Sequence, residues 1–186
     1  MKNILDIYFK DYDFDYKNVI EFGPCVTKDR IGIIKHLLFG SSNIYAIDAC
    51  QKYSQTPEEA MKLSCENNFT LEIADYTPLL KDPINLINQY KIFKEKFFDV
   101  ILCQCSIEFY QIKGFLTLCD IIGTKECKVF CLPFLNSPEI NAHSYKEEIN
   151  KIHYGEYRLT ELENEEIEKI NYIMKYNAII TKNINI

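Results

Sequence analysis

A handful of polar residues stand where an apolar run gives out, and they are of a kind that holds a ligand. Glu21 sits near the end of N-V-I-E-F, two residues before Gly23, and Asp48 closes a second run, N-I-Y-A-I-D. Asp75 follows a third run, with Tyr76 beside it, and Cys103 and Gln104 lie in a fourth, D-V-I-L-C-Q-C. A carboxylate at a strand tip can accept two hydrogen bonds from the hydroxyls of a ribose. A tyrosine next to it can pack against a base. A glutamine within an apolar run costs free energy unless its amide is satisfied, which favours a position at the mouth of a site.

The elements that must position these residues follow from the apolar pattern. Short runs at 19–22, 44–47, 69–74, 98–105 and 128–132 read as buried strands. Between them, helices are expected over 28–38, 56–67, 79–96 and 111–122. Thr56 followed by Pro57, Glu58 and Glu59 is an N-cap, a proline in the first turn and acids near the helix N-terminus. Pro83 interrupts the third helix, and Gly123 stands where a C-cap belongs. Strands alternating with helices predict right-handed βαβ units and a mostly parallel sheet with helices on both faces, a Rossmann-like α/β fold. Beyond Pro133 the rhythm loosens. A helix is expected over 139–152, an acidic helix over 161–170, and a strand over 172–182 that returns antiparallel.

Strand, turn, helix, strand, acid is the order that holds a nucleotide-shaped ligand at the C-terminal edge of a parallel sheet. NAD-type sites need G-x-G-x-x-G so that the backbone can approach a pyrophosphate. This loop has Gly23 alone, with Cys25 and Thr27 following. A cofactor without phosphates is therefore favoured. Each residue also has an ordinary structural explanation. Gly23 can serve a plain strand-to-helix corner, Asp48 a turn, and Asp75 the cap of the helix that begins near Pro78.

Composition narrows the classes. The chain has 186 residues, enough for a sizeable core and read as one domain over 1–186, with 47% hydrophobic and 26% charged residues. No apolar run is long enough for a membrane span, and acids near the N-terminus argue against a signal peptide, so a cytoplasmic setting is expected. Net charge is −6, and only Arg30 and Arg158 are arginines, which does not suit a protein gripping long nucleic acid alone. The eight cysteines are read as small buried hydrophobes. Neither Cys103-x-Cys105 nor Cys127-x3-Cys131 has zinc spacing, and His36, His143 and His153 have no telling partners, so no metal is expected. No G-x-S-x-G, P-loop or H-E-x-x-H motif is present.

The acid-x-Gly ending of the first run resembles motif I of class I S-adenosylmethionine-dependent methyltransferases, usually (D/E)-x-G-x-G-x-G. F-D-V-I-L-C-Q-C-S-I-E-F, over 98–109, is similar to D-(I/L)-x-S-C-Q-F-x-x-H-Y of messenger RNA cap guanine-N7 methyltransferases, with Asp99, Cys103 and Gln104 matching. Glu108 stands at the histidine that faces the guanine, and Phe109 at an aromatic tyrosine. F-T-L-E-I-A-D over 69–75, Leu135-Asn136-Ser137, Asp29 and Y-G-E-Y-R-L over 154–159 echo further family segments. The loop is glycine-poor, Val26 replaces the family's lysine, and the stretches outside 18–160 are shorter than the family's.

The resemblance implies S-adenosylmethionine as cofactor, bound by Glu21, Gly23, Asp48, Asp75 and Tyr76, with Cys103 and Gln104 at its methionine end. It implies methyl transfer, with Gln104, Glu108 and Tyr154 as the candidates nearest the acceptor. Guanine N7 carries no proton, so transfer to it needs no general base, only in-line alignment and a suitable field. The acceptor is expected to be capped RNA or a small molecule, and a protein partner is also expected as an option. Two alternatives stay open: a methyltransferase fold that binds or stimulates without catalysing, and a small-molecule methyltransferase.

Overall fold

A computed structural model describes residues 8–24, 43–49, 56–94, 97–134, 147, 156–161 and 178–184, excluding the side chains of Gln104, Cys105, Phe109, Phe134, Glu161 and Ala178. The apolar runs form β1 (Asn18–Phe22), β2 (Asn43–Asp48), β3 (Thr70–Ile73), β4 (Phe98–Glu108) and β5 (Gly123–Phe134). Two later strands, β6 (Arg158–Glu161) and β7 (Ala178–Lys182), complete a seven-stranded sheet of order β3-β2-β1-β4-β5-β7-β6. Pairings from β3 through β5 are parallel. β7 runs antiparallel to both β5 and β6, as expected of the C-terminal strand. The chain moves outward from β1 to β3, then returns to the other side of β1 for β4. That reversal creates a switch point between the C-terminal ends of β1 and β4, where sheets of this kind open a crevice.

Period-two alternation divides the core into two layers. Ile20, Phe22, Ile47, Ile101, Cys103 and Val129 face α2 (Thr77–Lys81), α3 (Pro83–Leu86) and α4 (Ile112–Ile122). Val19, Ile44, Ala46, Val100, Leu102 and Phe130 face Phe9 and Ala60, the latter from α1 (Pro57–Glu66). α1 begins as its sequence predicts. The Thr56 hydroxyl accepts from the Glu59 amide at 3.2 Å, and the Glu59 carboxylate accepts from the Thr56 amide at 3.1 Å. This reciprocal pair satisfies two amides that the helix itself leaves open.

Three expectations need correction. The helix expected over 79–96 is broken into α2, α3 and two short 3-10 turns, Ile87–Gln89 and Lys91–Phe93. Pro83 has no amide proton to continue a helix and biases the preceding residue away from helical backbone, and Asp82 has φ −143° and ψ 67°. The last turn is then held from the sheet, where the Glu72 carboxylate accepts from the Ile92 amide at 2.8 Å. Gly123 ends α4 without a left-handed cap. Its φ of −81° and ψ of 150° already belong to β5, which starts well before residue 128. A Cβ at Gly123 would approach both the Cys119 carbonyl and Cys127 Cβ to 2.8 Å, so close packing is what calls for glycine here. β4 also continues beyond 105 to Glu108, with an irregular register against β5 between Gln104 and Glu108. The helix expected over 28–38, most of 139–152 and all but the first residue of the helix expected over 161–170 fall outside the described residues; Glu147 is helical, whereas Glu161 closes β6 and does not start a helix.

Candidate active site

The tip of β1 is defined by one peptide and its neighbours. Gly23 has φ +63°, a left-handed conformation that glycine adopts without steric cost. Its amide donates to the Ile47 carbonyl of β2 at 2.9 Å. On the opposite side, the Ser106 hydroxyl of β4 donates to the Phe22 carbonyl at 2.6 Å. A Cβ at position 23 would lie 2.3 Å from Ser106 Cβ and 2.6 Å from the Tyr76 hydroxyl oxygen. Packing and backbone conformation together require glycine at this corner, whatever a ligand adds.

Glu21 and Asp48 occupy neighbouring tips. Glu21 is buried, with 1% of its surface exposed, and lies opposite Ala46 in the β1–β2 register. Asp48 is half-buried at the end of β2, and its carbonyl accepts from the Ala74 amide at 3.0 Å. Alternation puts Glu21 and Asp48 on the sheet face that carries Val19 and Ala46.

Asp75 and Tyr76 are engaged by the protein. Asp75 is exposed, and its carboxylate accepts from the Thr77 amide at 2.9 Å at the start of α2. The Thr77 hydrogen bonds hold its carboxyl below the usual carboxylate range. The contact is a turn just ahead of α2, whose N-cap is Tyr76, so Asp75 borders the helix start without being the cap that the sequence suggested. Tyr76 is buried, its ring meeting Phe22 edge-on with centroids 5.7 Å apart. Its hydroxyl donates to the Ser106 carbonyl at 3.2 Å, and burial, with Cys103 nearby, pushes the phenol well above its ordinary range.

Along β4, Cys103 is fully buried opposite Cys131, and its sulfur lies 3.1 Å from the Ser106 hydroxyl oxygen. Burial pushes the thiol up, but hydrogen bonds from Cys131, Ser106 and the backbone outweigh it and leave the group below its ordinary value. Gln104 pairs with Leu132 through the strand register. Glu108 is half-buried, and its amide donates to the Gln111 side-chain oxygen at 2.8 Å. Beside it Tyr110 is exposed, its phenol raised by the Glu108 carboxylate. The structure thus brings Glu21, Gly23, Asp48 and Glu108 to the C-terminal ends of adjoining strands, with Cys103 in the buried middle of β4, paired across to Phe22. Tyr154 lies outside the described residues, as do Cys25, Thr27 and Asp29.

Sequence reasoning missed Ser106, which touches Phe22, Cys103 and Tyr76 at once. A signal was available. A serine after an apolar run needs a partner for the same reason that Gln104 does.

A cleft of about 390 Å³ lies at the opposite edge, lined by Tyr12, Lys17, Asp99, Glu126, Lys128 and Asn183. Its groups serve the fold. Asp99 accepts from the Asn18 amide at 2.9 Å, and the Lys128 ammonium donates to the Asn183 carbonyl while lying 5.2 Å from the centre of the Tyr12 ring. Burial, with Asp99 second, pushes the Tyr12 phenol up to about 12. Among the described residues, no group of three or more His, Cys, Asp or Glu is placed to hold a metal ion, and no helix is long and apolar enough to cross a membrane.

No family model matches the chain, and no curated protein matches its sequence. Solved structures do match. A Clostridium thermocellum protein designated an rRNA-methylase superposes with a TM-score of 0.57 at 10% identity, covering 97% of this chain and 94% of its own. An O-methyltransferase from Bacillus cereus, in complex with SAH, gives 0.56 at 12% identity over 91% of this chain and 74% of its own. Phosphoethanolamine N-methyltransferase 1 of Haemonchus contortus, solved with phosphoethanolamine and S-adenosylhomocysteine, gives 0.53 at 16% identity. This chain spans 41% of that longer protein. The fold is that of a class I methyltransferase. The methyltransferase fold accounts for the sheet order.

Proposed function

We propose that the chain is an S-adenosylmethionine-dependent methyltransferase. The observation that carries this reading is the meeting of Glu21, Gly23 and Asp48 at adjacent strand tips, beside the switch point between β1 and β4. The donor set suits the cofactor in kind. Asp48 would accept from the ribose hydroxyls, as carboxylates at the second tip of such sheets do. Glu21 and the Gly23 turn would meet the methionine end, with Cys103 and Gln104 across the switch point. Asp75 already serves Thr77 and Tyr76 already serves Phe22 and Ser106, so these two are weaker candidates for the adenine. When bound, the cofactor supplies an activated methyl group on a sulfonium. The chain's part is to align the acceptor and exclude water. The mixed acceptors of the structural neighbours support methyl transfer as the reaction class.

For the acceptor we propose guanine N7 of capped RNA, on the motif over 98–109. Of its matching residues, Asp99 holds Asn18 at the far edge, and Cys103 is buried in the sheet. The acceptor reading therefore leans on Glu108, whose carboxylate suits a base edge carrying N–H donors, and on Gln104 and Tyr154. Titration calorimetry with S-adenosylmethionine tests the cofactor. An absence of binding at millimolar concentration would end the enzyme reading. Product analysis on capped RNA against a panel of small methyl acceptors then tests the acceptor. Methylation of a small molecule alone would replace RNA with that substrate class. A non-catalytic binding subunit is the second reading. It is favoured by the way Ser106 and Tyr76 fill the space beside Gly23, and cofactor binding with no transfer to either acceptor class would support it.

A further inference from the structure

We infer that Ser106 is a positioning residue for the cofactor-binding turn, holding the Phe22–Gly23 peptide from β4 while Ile47 holds it from β2. The inference rests on the cofactor reading above. The Phe22 carbonyl and the Gly23 amide are the two ends of one planar peptide, and in the trans form they point in opposite directions. One end accepts from the Ser106 hydroxyl at 2.6 Å, and the other donates to the Ile47 carbonyl at 2.9 Å. The β1–β4 ladder stops at the pair Phe22 and Cys103, so beyond it a side chain carries the connection between the two strands. With both ends held, the peptide cannot rotate without breaking a hydrogen bond, the one from Ser106 being partly buried. The direction in which the chain leaves β1 through the left-handed Gly23 is then set.

Ser106 is itself held at three points. Its hydroxyl oxygen lies 3.1 Å from the Cys103 sulfur, its Cβ faces Gly23, and its carbonyl accepts from the Tyr76 hydroxyl at 3.2 Å. Tyr76 is braced in turn by the edge-on Phe22 ring. Residues of β1, β4 and the start of α2 thus form one knot around a single peptide. A ligand that meets this turn finds it already ordered and does not have to order it on binding. Burial of the knot strengthens the effect, since a freed Phe22 carbonyl has little access to water.

The test is calorimetric titration of S-adenosylmethionine into the full chain and into Ser106→Ala, Tyr76→Phe and Thr117→Ala. Thr117 is the control. Its hydroxyl bonds to the Lys113 carbonyl within α4, so its loss removes one hydrogen bond away from the turn. Ser106→Ala should weaken binding roughly tenfold, the change one hydrogen bond commands. Tyr76→Phe should weaken it roughly threefold, and Thr117→Ala should stay within about twofold. In amide NMR spectra the Gly23 resonance should move in Ser106→Ala and Tyr76→Phe but not in Thr117→Ala. If Ser106→Ala does not fold, the Tyr76→Phe affinity and its Gly23 resonance decide the matter. Unchanged affinity in Ser106→Ala and Tyr76→Phe, or an equal loss in Thr117→Ala, overturns the role of Ser106 and leaves the cofactor reading intact. Failure of the unsubstituted chain to bind removes both.

Discussion

At the N-terminal edge of the sheet, charged side chains clamp the places where strands begin. Asp99 takes the Asn18 amide, the Asn18 side-chain amide donates to the Phe97 carbonyl, and Lys128 reaches the Asn183 carbonyl. At the C-terminal edge, acids gather at successive strand tips, and the clamp on the backbone is a neutral hydroxyl, Ser106, beside a glycine in left-handed conformation. One edge spends its charges on the fold. The other holds the corner between β1 and β4 by uncharged contacts and carries Glu21, Asp48 and Glu108 at neighbouring strand tips. A cleft is therefore a poor guide by itself here, because the one described above lies at the self-satisfied edge. The comparison also divides the fourth-strand motif. Asp99 belongs to one edge, Glu108 to the other, and Cys103 to the buried run between them.

The sharpest way to break this comparison is Gly23→Ala. The added Cβ would meet Ser106 Cβ at 2.3 Å on a backbone with φ +63°. A loss of about 2–4 kcal/mol is expected, read from denaturant melts, because packing and conformation are violated together. A near-neutral outcome would mean that the corner opens readily and that the knot does not hold it. Asp48→Ala comes next. Cofactor affinity should fall by roughly tenfold to a hundredfold with little change in melting temperature, as for a lost pair of hydroxyl contacts. Equal affinity would take Asp48 out of the site. Asp99→Ala should do the reverse, lowering stability by about 1 kcal/mol and leaving cofactor affinity as it was. If Asp99→Ala weakens binding as strongly as Asp48→Ala, the two edges are not separate.

The smallest effect concerns acid. Asp75 has a carboxyl lowered from its ordinary 3.8, chiefly by the Thr77 amide, so the folded chain favours the charged form. The stability this lends is present above that ordinary value and drains away as pH falls through the lowered one. Asp75→Asn should make the acid limb of the melting profile slightly shallower, in scans taken from about pH 5 down to about pH 2. An unchanged limb would show that the Thr77 contact is not maintained in solution.

Much of the fold was legible because its causes are local. The Thr56–Glu59 capping box needs only neighbouring residues, and the buried strands announce themselves as apolar runs. The break after Lys81 was half legible. Pro83 marks it, but the 3-10 turns that replace the helix depend on Glu72 reaching Ile92 from β3. The extra lengths of β4 and β5 depend on each other, since each extends along its partner. Among the site residues, Glu21 and Asp48 could be read from the ends of their strands. For Ser106 the need of a partner was legible, but not which partner, because Phe22 is 84 residues away in the chain.

The sequence alone determined the strand-helix alternation, the acids at the strand ends and the single glycine after β1, since these are set by residue type and short-range periodicity. Tertiary structure decided what each of them does. It turned Asp99 into a clamp, drew Asp75 and Tyr76 into contacts with the protein, and made Ser106 the link between β1 and β4. Those outcomes depend on which strands become neighbours, and strand order brings together residues that no local pattern connects.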